Sequence, residues 1–274
     1  MTATAATLGR VLIIAGSDSG GGAGIQGDIK TVTMLGGYAA SAVTAVTVQN
    51  TLGVSAVHPI PPDIVAAQIT AVLDDIGADA IKTGMLGDAA TVQAVARTLK
   101  ARGVLPPLVV DPVMRAKGGA ALLSADASGA LISELFPMAA LVTPNIPEAE
   151  QLAGFAIADV AAMTRAGEAL RVLGPGAVLV KGGHLEGPTV HDVLVTADGT
   201  EIFAGPRIDT RHTHGTGCAL ASAIACGLAQ GRALKDAVAR ARDYVAAAIR
   251  SAPGLGAGHG PLDHAYALRG NPAR

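Results

Sequence analysis

Val11-Leu12-Ile13-Ile14-Ala15, running into Gly16-Ser17-Asp18-Ser19-Gly20-Gly21-Gly22-Ala23-Gly24, sets the architecture of this chain. An unbroken apolar run reads as a strand covered on both faces, the glycines as its exit turn, and the amphipathic stretch Gly24–Leu35 as the helix that follows. The alternation continues, with strands near Ala42–Val48, Ala80–Thr83, Leu108–Asp111, Leu141–Thr143 and Ala177–Val180. Helices are predicted near Pro62–Asp75, Ala89–Ala101, Ala125–Leu135, Ile157–Leu173, Cys218–Ala229 and Leu234–Arg250. Repeated βα units imply an α/β fold around a parallel sheet. Val190–Thr196 and Glu201–Ala204, separated only by Ala197-Asp198-Gly199-Thr200, read as an antiparallel hairpin at a sheet edge. An edge hairpin favours an open sheet over a closed eight-unit barrel, for which the βα units also fall short. With no linker, repeat or low-complexity tract, residues 1–274 are expected to form one domain, with 1–9 as a flexible N-terminal stretch.

Half of the 274 residues are hydrophobic, enough for a sizeable core. The formal charge of −2 is spread over interspersed acidic and basic residues, so no broad basic surface exists to track a nucleic-acid backbone. Small molecules are the expected partners. The N-terminus lacks the apolar core of a signal peptide, and no apolar run reaches the about 18 residues that span a bilayer. The expectation is a soluble cytoplasmic protein with reduced thiols at Cys218 and Cys226, with neither membrane nor nucleic acid as partner. Aromatic residues make up only 2% of the chain and Trp is absent, so a pocket for a ring-shaped substrate must be lined by aliphatic and Met side chains.

The segment Thr213-His214-Gly215-Thr216-Gly217-Cys218 joins a glycine turn to a helix start. Gly215 and Gly217 allow successive N–H groups to converge on one point, and the helix adds its positive end, so a polyphosphate fits there. A kinase site follows as the first hypothesis. Cys218 at that helix start is expected to have a thiol pKa below the ordinary value; the competing reading is a glycine turn followed by a small core cysteine. The spacing Gly22, Gly24, Gly27 matches a dinucleotide fingerprint, but no acidic residue lies between Asp28 and Asp63 to hold a ribose. Lys82-Thr83-Gly84 matches a β-lactamase element that lacks its partner motif. Four positions fall at carboxyl ends of strands, where open α/β sheets bind ligands: Asp18, Asp111, Lys181 and Asn145-Ile146-Pro147-Glu148. Lys181 can neutralise a transferring phosphoryl group, and Glu148 can hold a cation, although Asn145 and Glu148 also read as a helix cap. Asp18 likewise reads as a local turn cap. Arg115-Ala116-Lys117-Gly118-Gly119 reads as a cationic lid loop or a solvated surface loop, and His212 with His214 lacks a third zinc ligand.

Taken together, several ordered stretches resemble the hydroxymethylpyrimidine kinase and hydroxymethylpyrimidine phosphate kinase family of thiamine biosynthesis, within the ribokinase-like superfamily. They are Ala15–Gln26, Thr44-Ala45-Val46-Thr47-Val48-Gln49-Asn50-Thr51, Lys82-Thr83-Gly84-Met85-Leu86, Asp111-Pro112-Val113-Met114, Thr143–Glu150, Lys181-Gly182-Gly183-His184, Thr213–Cys218 and Gly256–Pro261. The resemblance covers nearly the whole chain and departs at Gly27, where Ala is usual, and at Ala219, where Thr is usual. It implies a three-layer sandwich with a mostly parallel open sheet, helices on both faces and an antiparallel edge hairpin. It further implies that Gln49 pairs with the edge of an aminopyrimidine, that Met85 packs on the ring, and that Val113, Gly16 and Ala23 complete that pocket. Lys181, Asn145, Thr213, Gly215, Thr216 and Gly217 would face the phosphates of ATP, with Mg²⁺ near Asp111 and Glu148, in a homodimer. Cys218 stands where most ribokinase-like kinases have Asp, and a thiol suits the role of base only if its pKa is depressed. The implied activity is phosphorylation of 4-amino-5-hydroxymethyl-2-methylpyrimidine to its monophosphate and then to its diphosphate. A pyridoxal kinase and a non-catalytic pyrimidine- or nucleotide-binding regulator are the alternatives.

Overall fold

Leu12 and Ile14 point into one core of the molecule and Val11, Ile13 and Ala15 into another, all of them buried. The computed structural model describes residues 8–115, 118–119 and 122–269. In chain order its strands are β1 (Arg10–Asp18), β2 (Tyr38–Asn50), β3 (Gly53–Pro59), β4 (Ala80–Thr83), β5 (Leu108–Val110), β6 (Leu141–Val142), β7 (Val178–Val180), β8 (Thr189–Val195) and β9 (Thr200–Pro206). The helices are α1 (Gly24–Met34), α2 (Pro62–Asp75), α3 (Ala89–Lys100), α4 (Ala125–Ala130), α5 (Ile146–Ala153), α6 (Val160–Arg171), α7 (Thr216–Ala229) and α8 (Leu234–Arg250). One sheet runs in the order β3-β2-β1-β4-β5-β6-β7-β8-β9. Its centre, from β2 to β7, is parallel, as the apolar runs predict.

Period-two side-chain alternation sorts the helices into two layers. Val11 and Ile13 pack with Val109, Leu141 and Leu179 against α1, α7 and α8. Leu12 and Ile14 pack with Ile81, Val110 and Val142 against α2, α3 and the α4 region, and Val178, Val180, Val193 and Val195 extend that face beneath α5 and α6. This is the α/β/α sandwich that the family resemblance implies. No helix among the described residues is long and apolar enough to cross a membrane.

Three differences from the sequence expectations have physical causes. The hairpin β8–β9 is found, but the opposite edge is antiparallel as well, through β3 on β2. β3 lies mostly exposed at the sheet edge and so carries no buried alternation to announce it. Helix α5, only two turns long, is absent from the helices read by periodicity, although its start is the Asn145 and Glu148 cap that the sequence allowed; it ends at Gly154. Helix α4 continues into a π-helical turn, Leu131–Leu135, and ends at Pro137 in the 3₁₀ turn Phe136–Met138. Of the N-terminal stretch, residues 1–7 lie outside the described residues, whereas Gly9 is buried and its carbonyl accepts the Tyr38 N–H at 2.9 Å. Ala116 and Lys117 of the expected lid loop also lie outside the described residues.

Beneath the carboxyl ends of the central strands sits a fully buried ion pair. Lys82 on β4 donates to Asp28 on α1 at 2.7 Å, and Ser222 on α7 donates to the second carboxylate oxygen at 2.7 Å. Burial alone would lower the Lys82 pKa, but the charge and hydrogen bond of Asp28 together with the further negative groups at Cys218 and Asp111 outweigh it, and the net shift is upward. Lys82→Met should lower folding stability by about 3–5 kcal/mol in urea denaturation, because Asp28 would be left charged and unpaired. Lys82→Met combined with Asp28→Leu should recover most of that loss; a single-variant loss below about 1 kcal/mol would show that the pair does not hold α1 to the sheet.

Candidate active site

Strand β1 carries a register shift between Ala15 and Ser17, at Gly16, and then pairs with β2 through Asp18, where it ends. The Asp18 carboxylate then gathers the turn: it accepts the N–H groups of Gly20 at 2.8 Å, Gly22 at 3.1 Å and Ala23 at 2.8 Å. Asp18 is therefore the turn cap that the sequence allowed, and it is also more. His214 Nε2 lies 2.8 Å from Asp18 Oδ2, joining the first βα turn to a segment 196 positions away. Burial would raise the Asp18 pKa; the hydrogen bonds from His214, Ala23 and Gly20 more than offset it, and the carboxyl stays below its usual range. His214 fits because Gly22 has no side chain: a Cβ there would come 2.6 Å from the imidazole Cδ2.

The same close approach shapes the start of α7. Gly215 has φ +85°, and a Cβ on it would lie 1.9 Å from the Gly22 carbonyl oxygen, so only glycine joins these two turns. No side chain caps α7, and Gly215, Thr216, Gly217 and Cys218 line the adjoining cavity. The Thr216 hydroxyl folds back onto the Thr213 carbonyl at 3.1 Å. An uncapped helix N-terminus lined by glycine backbone suits an anion.

Lys181 leaves β7 with its N–H on the Pro144 carbonyl at 2.8 Å, which sets it beside Asn145. Its ammonium donates to Asp111 at 2.8 Å and stands next to Gly217, where a Cβ would be 3.2 Å away. Burial works against this charge, yet Asp111 and Glu148 outweigh it and the Lys181 pKa is raised. Asn145 and Glu148 form a reciprocal cap on α5, at 2.8 and 2.9 Å. Glu148 is nonetheless turned to the cavity and buried, and burial together with the Asp111 charge pushes its pKa up to about 7 against the pull of Lys181. Among the described residues no cluster of three or more His, Cys, Asp or Glu forms. The pair Asp111 and Glu148 can thus hold a cation only together with ligand oxygens, which is the habit of Mg²⁺ on phosphates.

One cavity of about 830 Å³ connects all of these groups to Gln49, Met85, Val113, Gly16 and Ala23. Met85 packs its sulfur over Gly16, where a Cβ would be 3.0 Å away. This part of the cavity is lined by Met85, Val113 and Ala23 beside the polar Thr47, Gln49 and His214, with no Phe, Tyr or Trp among the described lining residues. The Gln49 amide spans Thr47 and His214 at its far wall. Two contributors went unassigned in the sequence. His214 was weighed only as a zinc ligand, and its pairing with Asp18 across the chain leaves no local trace. Lys82 lines the cavity from below; a lysine in the buried strand Ala80-Ile81-Lys82-Thr83 was the available signal.

The Cys218 expectation is corrected. The thiol is the third residue of α7, yet its pKa is pushed up to about 12. Burial is the main cause, with the Asp28 and Asp111 charges adding to it; Lys82 and the Gly24 N–H oppose them and lose. The helix end does not compensate for missing water.

The phosphomethylpyrimidine kinase family matches residues 18–263. The thiamine biosynthesis bifunctional protein ThiED of Geobacter sulfurreducens is 53% identical over 262 residues, covering 94% of this chain and 53% of that protein, so the chain spans about half of that relative. The hydroxymethylpyrimidine/phosphomethylpyrimidine kinase of Streptomyces coelicolor is 48% identical, covering 94% of this chain and 95% of that one. Among solved structures, an ADP complex of Bacillus subtilis pyridoxal kinase superposes with TM-score 0.88 at 36% identity, covering 97% and 100% of the two chains. The phosphomethylpyrimidine kinase of Clostridium difficile superposes with TM-score 0.77 at 42% identity, covering 86% and 97%.

A thiol with so high a pKa should react slowly. Alkylation of Cys218 by iodoacetamide at pH 7.5, followed by peptide mass spectrometry, should be about 10²-fold slower than that of a free thiol and rise about tenfold per pH unit through pH 9. Rapid modification levelling off below pH 8 would contradict the burial argument.

Proposed function

The chain belongs to the phosphomethylpyrimidine kinase family and is a phosphotransferase, and on that premise we propose that its one cavity carries out two successive phosphorylations. ATP phosphorylates the hydroxymethyl oxygen of 4-amino-5-hydroxymethyl-2-methylpyrimidine, and the resulting monophosphate is then phosphorylated to the diphosphate. The observation that carries this reading is the meeting, in one cavity, of an uncapped glycine-lined helix start, an ammonium, two carboxylates and an amide-walled apolar pocket. In this reading Gln49, Met85, Gly16, Ala23 and Val113 hold the pyrimidine. Lys181, Asn145, Thr213, Gly215, Thr216 and Gly217 hold the phosphates of ATP.

The alcohol oxygen attacks the terminal phosphorus while ADP leaves, and the charge on the moving phosphoryl oxygens is met by Lys181 and the first-turn N–H groups of α7. Lys181 is held for this by Asp111 at 2.8 Å. Asp111 and Glu148 are the residues that would bind Mg²⁺, whose contribution is to neutralise phosphate charge. A carboxyl with its pKa near 7 at Glu148 binds the metal best after losing its proton. Cys218 borders the reacting hydroxyl and acts through its backbone N–H. With its pKa up to about 12, the thiol is not a standing thiolate at neutral pH, and the alcohol proton passes to an oxygen of the transferring phosphoryl group as the new P–O bond forms and the bond to ADP breaks. We further propose that the protein works in the cytoplasm, and as a homodimer, for which the exposed apolar residues Val46 and Val48 on β2 and Val57 on β3 would suit the subunit contact.

Single-turnover experiments with MgATP, started separately from the alcohol and from the monophosphate, test this reading. The wild type should convert both, and pyridoxal, acted on by enzymes of the same fold, should be the poorer substrate. Cys218→Ala should retain both steps within about tenfold. A loss above about 10²-fold confined to the first step would assign the thiol as its base, and failure of the wild type on either pyrimidine would overturn the two-step activity.

A further inference from the structure

The hydrogens around Gln49 are over-determined. Thr47 Oγ1 lies 2.8 Å from the Ser17 carbonyl and 3.1 Å from one end of the Gln49 amide. The other end lies 3.4 Å from His214 Nε2, which is itself 2.8 Å from Asp18 Oδ2. The Ser17 carbonyl only accepts, so the single hydroxyl hydrogen of Thr47 goes to it and Thr47 faces Gln49 as an acceptor. The Asp18 carboxylate also only accepts, so the single hydrogen of His214 Nε2, whether the ring is neutral or charged, goes to it; that N–H, at 3.4 Å, attracts an amide oxygen and repels an amide NH₂. An amide with its oxygen on Thr47 would require two hydrogens of one hydroxyl and would set NH₂ against a ring N–H. Turned by 180°, it donates NH₂ to Thr47 and sets its oxygen against the His214 N–H that Asp18 already holds, so no two donors face each other and no hydrogen is required twice.

We infer that Asp18, His214 and Thr47 lock the Gln49 amide in this orientation and thereby make the site selective for a 4-amino over a 4-oxo pyrimidine edge. The inference rests on the reading of Gln49 as the group that pairs with the ring. A free amide reads either edge by turning over; a locked one reads only one. Its oxygen, on the His214 side, has a second lone pair for an amino hydrogen, and its NH₂, on the Thr47 side, has a second hydrogen for a ring nitrogen. The 4-oxo analogue presents the opposite pattern, an oxygen acceptor beside a ring N–H. To satisfy the locked amide, that ring must turn over. In the 4-amino ring the hydroxymethyl group is adjacent to the amino group and so lies on the His214 side, from which the chain runs directly into Gly215–Cys218. In the overturned oxo ring it lies on the far side. The lock thus couples recognition of the edge to placement of the reacting oxygen. Asp18, His214 and Thr47 act through Gln49 as positioning residues.

The test is the ratio of kcat/KM for the 4-amino substrate over its 4-oxo analogue, with thermal melting and ADP binding as checks on folding. The wild type should strongly prefer the amino compound. His214→Leu and Thr47→Val, the second nearly isosteric, should each lower the ratio by at least about tenfold, while His214→Gln, which keeps a donor toward Asp18, should preserve most of it. Gln49→Leu should collapse the ratio, and His214→Leu added to it should change the ratio no further. If Gln49→Leu collapses the ratio but His214→Leu and Thr47→Val lower both efficiencies equally, the lock is wrong and Gln49 keeps its role. A ratio unchanged in Gln49→Leu would overturn the pairing role of Gln49 and the lock with it.

Discussion

The buried carboxylate of Asp18 is the constraint on which the site depends. It takes three N–H groups from its own turn and one from His214, so that the exit of the first strand and the entry to α7 share one anion. A charge removed from water is costly unless fully hydrogen-bonded, and these donors meet that cost. One layer deeper, Asp28 repeats the device by accepting from Lys82 of β4 and Ser222 of α7. Together the two carboxylates fix the starts of α1 and α7 side by side at the carboxyl ends of β1 and β4. The cavity is the space left over by this arrangement, and its glycines at 22 and 215 are there because two backbones pass too closely for side chains.

The legibility of the fold in the sequence follows burial. Val11–Ala15 and Leu108–Val110 lie between two helix layers, so their sequences are continuous apolar runs and their positions could be read directly, whereas the equally buried Ala80–Thr83 is interrupted by Lys82. β3 could not, because an exposed edge strand imposes no pattern. The site shows a similar division. Asp111, Lys181, Asn145 and Glu148 each follow a short apolar strand, and in an open α/β sheet that alone brings them to one edge. The link between Asp18 and His214 exists only in three dimensions. For Cys218, the position in the helix could be read but the sign of its pKa shift could not: the helix end favours the thiolate, and desolvation with two nearby carboxylates opposes it more strongly.

The charges in the cavity are arranged in opposition. Lys181 is balanced by Asp111, and Lys82 by Asp28. In the proposed reading Glu148, its pKa pushed up to about 7, exchanges its proton for a cation. Under the proposed function such a site would admit a polyphosphate and its metal with little rearrangement, because each incoming charge would find an opposite one already held in place. It also explains how one pocket can take an alcohol and then a phosphate monoester. In the proposed reading the groups that stabilise the transferring phosphoryl are the same for both, and only the nucleophile changes.

That shared use of one pocket is tested most directly by competition. With MgATP saturating, initial rates of alcohol phosphorylation are measured at increasing concentrations of the monophosphate. A single site predicts purely competitive inhibition, with an inhibition constant equal to the KM of the monophosphate as a substrate. Alcohol phosphorylation unaffected by saturating monophosphate, or inhibited without any change in its apparent KM, would contradict it and require a second site.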